Sequence, residues 1–281
     1  MNINYSDLNL NQAVKNEISR LLGSLDNNKD DLENIWQLMD MVWDEYCCDN
    51  KKLNWDNIDK FYSHPVWLLN GLFIEQHALS MQHRNAISDW VVDNPSIRKI
   101  LDYGGGFGTL ARLIADKKTS LLVDIYEPHP SDYSIQKIST YPQIQFIGKI
   151  KYRYDVLVST DVLEHVLDPL KIFEEMILSV KNNGYLIIAN NFSPAIKCHL
   201  PQTFHLRYTF NVFARLMGLE VVGPLEGSHA TIFRKNSNKH VNWRVVRLLE
   251  KISKGIFPMV EFLKPGLRPI YRLAKHENTP S

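Results

Sequence analysis

The chain has 281 residues, 44% apolar and 22% charged, which suits one principal folded domain with a smaller appendage and excludes wholesale disorder. A net charge of +1 excludes a global pull toward nucleic acid, but the charge is unevenly spread. Residues 1–60 hold 12 Asp/Glu against 6 Lys/Arg, whereas 234–281 hold 11 Lys/Arg against 3 Asp/Glu, so only the C-terminal segment invites an anionic partner.

From Asn11 to about Val92 apolar residues recur at three-and-four spacing, as in "AVKNEISRLLGSL" and "LENIWQLMDMVWDEY", which predicts helices, with a break at Pro65. At Ile100 the pattern changes to short β-rich runs alternating with helical ones. "KILDY", "SLLVDIYE", "IQFIGKI", "YDVLVST" and "GYLIIANN" predict strands one to five. "TLARLIADK", "DYSIQKIST" and "DPLKIFEEMILSVKNN" predict the crossover helices, the last opened by Asp168 and Pro169.

Beyond a loop rich in Pro, His and Cys, "YTFNVFARLMGL" predicts a helix and "EVVGP" and "HATIFRK" two closing strands, antiparallel to each other. The remainder reads as a basic helical tail interrupted at Pro258, Pro265, Gly266 and Pro269. The expected fold class is α/β, with a seven-stranded, mostly parallel, doubly wound sheet. The expected domains are a helical cap over 1–97, a ligand-binding unit over 98–235 and a helical tail over 236–281.

Cys47, Cys48 and Cys198 are too few for a disulfide framework and lack metal-type spacing, and Cys47 and Cys48 read as buried helix residues. The first residues show no basic stretch followed by an apolar core, and no window reaches about 18 uncharged apolar residues. The expectation is a cytoplasmic protein with neither export nor a membrane span.

"ILDYGGGFGTLARLIAD" sets a glycine turn between a strand and a helix, where backbone can approach a ligand closely and helix N–H groups face it. A dinucleotide fingerprint can be forced onto Gly106, Gly108 and Ala111 with Glu127, so a nicotinamide oxidoreductase is one reading. Asp102 immediately before the glycines argues for a different ligand, because an acid there repels a pyrophosphate and suits an amino group. The turn, the acid in "VDIYEP" and the segment "YDVLVSTDVLEHVLDP", in this order, resemble the class I, Rossmann-like methyltransferases that use S-adenosylmethionine (SAM). The resemblance covers roughly Ile100 to Lys235.

It implies that Asp102 and the backbone of Tyr103, Gly104 and Gly106 hold the amino-acid end of SAM. It further implies that Glu127 binds the ribose hydroxyls, Pro128 lies beside the adenine, and Thr160 and Asp161 flank the cofactor near its sulfonium. Arg84, from "FIEQHALSMQHRNAI", which also carries Gln76 and His83, is a candidate partner of the cofactor carboxylate. No acid follows strand three to bind the adenine amino group.

If the methyl acceptor is a hydroxyl, its proton must be removed. The leading candidate base is His165, with His199 close behind and His205 as a third; Arg207 and Tyr208 share the loop after strand five. Asp161, Glu164, His165 and His199 also form a pattern similar to that of family members that bind a divalent cation, such as small-RNA 2′-O-methyltransferases. The loop "CHLPQTFHLRYTF" and the cap "SHPVWLLNG" are similar to bacterial methyltransferases of surface polysaccharide assembly.

The leading function is therefore O-methylation of a small hydroxylated metabolite, a sugar or a nucleotide-linked glycan precursor. A metal-assisted RNA ribose 2′-O-methyltransferase, an NAD(P) oxidoreductase and a non-enzymatic partner subunit are the rivals. Nucleic acid is not favoured, because the core lacks a basic strip interleaved with aromatics. The tail is read as docking on the acidic N-terminal helices, resting on an anionic membrane surface or binding a polyanionic substrate.

Overall fold

The computed structural model describes residues 3–5, 8–26, 28–150, 153–238 and 240–276, with 264–276 described by their backbone course alone. Five helices come first: α1 (Gln12–Leu22), α2 (Asp31–Glu45), α3 (Trp55–Tyr62), α4 (Pro65–Gln76) and α5 (Ala78–Asp93). Side chains of Asn11, Asp30, Asn54 and His64 accept from the first free N–H groups of α1 to α4, satisfying donors that each helix start leaves unpaired. Pro65 supplies the break expected there, as the first residue of α4 rather than as an interruption.

The sheet follows: β1 (Lys99–Tyr103), α6 (Thr109–Lys117), β2 (Leu122–Tyr126), α7 (Asp132–Ile138), β3 (Ile144–Phe146), β4 (Tyr154–Thr160), α8 (Pro169–Ser179) and β5 (Val180–Ala189). Then come α9 (Leu206–Leu216), β6 (Leu219–Pro224), β7 (Thr231–Lys235) and α10 (Trp243–His276). Strand order is β3-β2-β1-β4-β5-β7-β6, with β7 antiparallel to both β5 and β6 and the other pairs parallel. The seven-stranded α/β fold is as expected. Its chain turns back between β1 and β4, which opens a crevice at their carboxyl ends, where such sheets bind ligands.

Two apolar layers cover the sheet, one containing Leu157, Phe173, Phe213 and Phe233, the other Ile100, Ile114, Val123 and Ile187. A third cluster fills the N-terminal helices around Ile35, Trp43 and Phe61, and takes in Phe107 of the glycine turn and Ile196 and Cys198 of the loop after β5. Gly71 on α4 permits this joint, since a Cβ there would stand 2.6 Å from the Phe107 ring. The helical cap is thus packed onto the carboxyl edge of the sheet.

Among the boundaries that differ from expectation, two bear on packing. The helix expected to run to Asn183 ends at Ser179, and Val180 pairs with Tyr154 as the start of β5. Buried Lys235 donates to the carbonyls of Ile177 and Val180 at 2.8 and 2.7 Å, so an ammonium closes the end of α8. Lys235→Met should leave both carbonyls unsatisfied and cost about 1–3 kcal/mol, read as a lowered midpoint in denaturant. The second difference is the tail: α10 is one 34-residue helix that passes through Pro258, Pro265, Gly266 and Pro269 without interruption. Each proline removes one ladder donor, and the flanking bonds carry the helix across. Among the described residues no helix is long and apolar enough to cross a membrane.

Candidate active site

The glycine turn joins β1 to α6 with left-handed backbone at Gly104, Gly106 and Gly108. Gly104 N–H donates to Tyr126 O at 2.7 Å, which ties the turn to β2. A Cβ on Gly104 would overlap Val162, and one on Gly105 would lie 2.6 Å from Asp102 Oδ2, whereas Gly106 faces open space. The turn therefore brings bare backbone against an open volume beside a carboxylate. Tyr103 is buried with its ring 5.0 Å from that of Tyr126.

Asp102 is buried, its Oδ2 has no hydrogen-bond partner, and its carboxyl is pushed up to about 7 by burial, against the pull of Arg84 and with a further push from Glu127. Arg84, on α5, donates to Ser80 O at 3.1 Å. Burial lowers its guanidinium pKa while Asp161, Asp102 and Glu75 oppose the shift, so its charge lies among these carboxylates. Glu127 follows β2 and turns back over the glycines, accepting from Gly106 N–H and His129 N–H at 3.1 Å each. Pro128 beside it is exposed.

At the tip of β4, Thr160 aligns with Ala189 of β5, and Asp161 adopts left-handed backbone. Asp161 N–H donates to Ala189 O at 2.8 Å, and its Oδ1 lies 3.3 Å from His229 Nε2. His229 Nδ1 in turn meets His83 Nδ1 at 2.7 Å, one donating and the other accepting. The Asp161 hydrogen bond raises the pKa of His229, whereas burial and His229 lower that of His83. Sequence reasoning gave His229 no role. The available signal is topological: β7 runs antiparallel to β5, which delivers the turn before it to the carboxyl edge.

A 3-10 turn, Leu163–His165, then presents Glu164 and His165 toward His199. One ligand-capable atom from each of these three lies within 4.8 Å of the others. Glu164 Oε1 accepts from Asn191 N–H at 2.6 Å while Oε2 is buried and unpartnered, and burial, with Asp161 adding, pushes its carboxyl up to about 8. His165 Nδ1 donates to Cys198 O at 3.2 Å and His199 Nδ1 to Ser193 O at 2.6 Å. Both bonds fix the tautomer, leaving each Nε2 as an acceptor. Burial lowers both imidazoles, His165 to about 3 with His199 contributing.

Aromatic rings from the cap close over this group. Tyr62 and Trp67 stack at 5.1 Å and each points an edge or face at His165 from 6.2 Å, while His129 stacks on Tyr62 at 6.1 Å. Trp67 Nε1 is buried without a partner, as are Ser159 Oγ on β4 and Asn190 Oδ1 after β5. Together with Asp102 and Glu164, five residues at the strand tips and cap hold polar atoms with unmet hydrogen-bonding capacity, which a polar ligand would satisfy. Glu75 on α4 accepts from Thr109 at 2.9 Å and from Arg112 and Lys137, holding the cap to α6 and α7; sequence reasoning missed it too.

Two expected site residues fall elsewhere. His205 is buried between α9 and α10, its Nδ1 2.9 Å from Ser253 Oγ and its ring edge-on to Phe213, so the structure corrects its assignment as a base. The turn that carries it folds under α10 rather than toward the crevice. Asp161 is absent from the donor group of Glu164, His165 and His199, because its backbone turns the carboxylate toward His229 instead. Cys47, expected to be buried, is exposed in a left-handed turn after α2.

The family described as "Methyltransferase domain" matches residues 69–217, slightly over half of the chain. No curated protein matches. Similar solved structures include an O-methyltransferase family protein from Burkholderia thailandensis, 18% identical over 64% of this chain and 62% of that one, with a TM-score of 0.45. The CurJ carbon methyltransferase is 11% identical over 57% of this chain and 56% of that one, TM-score 0.48. The mitomycin 7-O-methyltransferase MmcR is 14% identical over 80% and 67%, TM-score 0.47. The chain spans about three-fifths of the length of the first two. With the family match running from α4 through the glycine turn and the β4 tip to α9, the chain belongs to the methyltransferase-domain family, whose fold implies SAM as methyl donor.

Proposed function

We propose that this protein transfers the methyl group of SAM to a hydroxyl of a small acceptor, a metabolite, a sugar or a nucleotide-linked glycan precursor. The observation that carries this reading is the convergence of Glu164, His165 and His199, one ligand-capable atom of each within 4.8 Å of the others, next to the Asp161 tip and under the Tyr62 and Trp67 rings.

The residues fit the cofactor. Asp102, with its buried free oxygen, would hold the ammonium group, Arg84 the carboxylate and Glu127 the ribose hydroxyls, with Gly104 and Gly106 giving backbone access. Tyr103, Thr160 and Asp161 would lie along the cofactor toward the acceptor side, and Pro128 beside its adenine. When bound, SAM supplies an electrophilic methyl group on its sulfonium.

On the acceptor side His199 is the stronger base of the pair, since His165, held near 3, keeps a neutral ring. His199 Nε2 takes the hydroxyl proton, while His165 Nε2 accepts a hydrogen bond that orients the acceptor. The stacked rings favour a flat or sugar-ring acceptor, whose faces they cover. In this reading the helices before residue 98 recognise the acceptor, residues 98–235 hold the cofactor, and the segment after 236 is an accessory tail. The free cysteines support a reducing, cytoplasmic setting.

The test is transfer of labelled methyl from SAM to a panel of phenols, sugars and nucleotide sugars. Label appearing only on amines or on RNA would overturn the hydroxyl reading.

A second reading has its own observation, the mixed donor set of Glu164, His165 and His199. Two neutral imidazoles and one carboxylate suit a divalent cation, which would stabilise ionised Glu164 and lower the pKa of a hydroxyl brought to it. Titration calorimetry with Mn²⁺ and Zn²⁺ on the wild type and His199→Ala tests this; absence of heat in the wild type retires the cation.

A further inference from the structure

The inner side of α10 is seated on the domain. Val246 is buried, Trp243 Nε1 donates to Glu174 at 2.9 Å, Ser253 lies against His205 and Thr209, and Glu261 receives Arg207 and Tyr208. The opposite side carries a continuous apolar stripe. Val245, Leu248, Ile252, Ile256, Met259 and Leu263 succeed one another at steps of three or four residues and are all exposed, Leu248 by 60%. Phe262 at its edge is 83% exposed. At about 1.5 Å per residue the 34-residue helix extends for about 50 Å.

We propose that this stripe rests in the interface of an anionic phospholipid bilayer, with α10 lying parallel to the surface. Charge decides between the occupants available to such a face. Exposed Arg244 and Lys251 flank the stripe, and exposed Lys254 lies farther round. The two acids of residues 243–263 are already engaged, Glu250 by Arg247 and Lys254 and Glu261 by Arg207 and Tyr208. Two copies packed stripe to stripe would bring cations together with no free acid to answer them. An anionic headgroup layer answers them, and acyl chains take up the apolar side chains. Apolar and cationic contacts act together here, as stable anchoring by a surface helix requires. The acidic N-terminal helices do not compete for the face, since the side of α10 that meets the protein is the other one.

The full-length protein should co-sediment with phosphatidylcholine vesicles that contain phosphatidylglycerol, and release at high salt. Replacing Leu248, Ile252, Ile256 and Met259 together by serine, or reversing Arg244 and Lys251 to glutamate, should each cut the bound fraction by about tenfold or more. Circular dichroism and the thermal midpoint would show that both variants stay folded. The proposal is overturned if the wild type stays in the supernatant, or if it binds pure phosphatidylcholine equally well. It is overturned equally if sedimentation velocity finds a dimer that the serine variant abolishes, since the stripe then belongs to a second copy.

Discussion

Asp102→Ala should weaken binding of SAM and S-adenosylhomocysteine by about 30- to 5,000-fold, the 2–5 kcal/mol expected when one partner of a buried charge pair is removed. The carboxylate is buried with one oxygen unpartnered, so in this reading the cofactor ammonium is its missing partner. pH adds a second signature. Because burial raises the carboxyl from 3.8 to about 7, the free folded protein holds a proton there that the unfolded chain has lost. Stability from this group is therefore fully present below about pH 4 and is lost as pH rises to about 7, at about 1.4 kcal/mol per pH unit. Cofactor affinity should move the opposite way and rise through the same window as the carboxylate forms. Asp102→Asn should flatten both trends. Calorimetry at a series of pH values reads the affinity and denaturant unfolding reads the stability; an Asn variant that binds as tightly as the wild type at pH 8 would remove Asp102 from the site.

His199→Ala should lower kcat by about 10²- to 10⁴-fold with an acceptor found by the labelling screen, while the Kd for S-adenosylhomocysteine stays within about threefold. The reason is positional: His199 lies in the loop after β5, two strands from β1 and its glycine turn, and its Nδ1 is spent on Ser193 O. His165→Ala should act more through KM, since a ring held near 3 orients an acceptor rather than collecting its proton. Equal losses of kcat in the two variants with unchanged KM would assign the proton to the pair.

The strand tips were legible because their chemistry is local. Asp102 and the glycines are neighbours in the chain, and Glu127 lies one crossover away, so strand periodicity and turn composition place all of them at one edge. Glu164 and His165 share a turn and were visible for the same reason. His199 was visible only as one histidine in a loop, and His205 looked equivalent to it. What separates them is that the 3-10 turn at Pro201–Thr203 sends the chain beneath α10, where His205 meets Ser253. His229 and Glu75 gave no local signal, because each acquires its partner across a long loop of sequence, Asp161 and His83 for the first and Thr109, Arg112 and Lys137 for the second.

By itself the sequence determined the α/β class, the seven strands and the glycine turn with its flanking acids, since hydrophobic period, glycine content and capping residues act over a few neighbouring positions. Tertiary structure decided which histidines share a site, where Asp161 points and which face of α10 is left open. Those outcomes depend on packing between segments far apart in the chain: the cap seated on Phe107, β7 returning beside β5, and α9 claiming one side of the last helix.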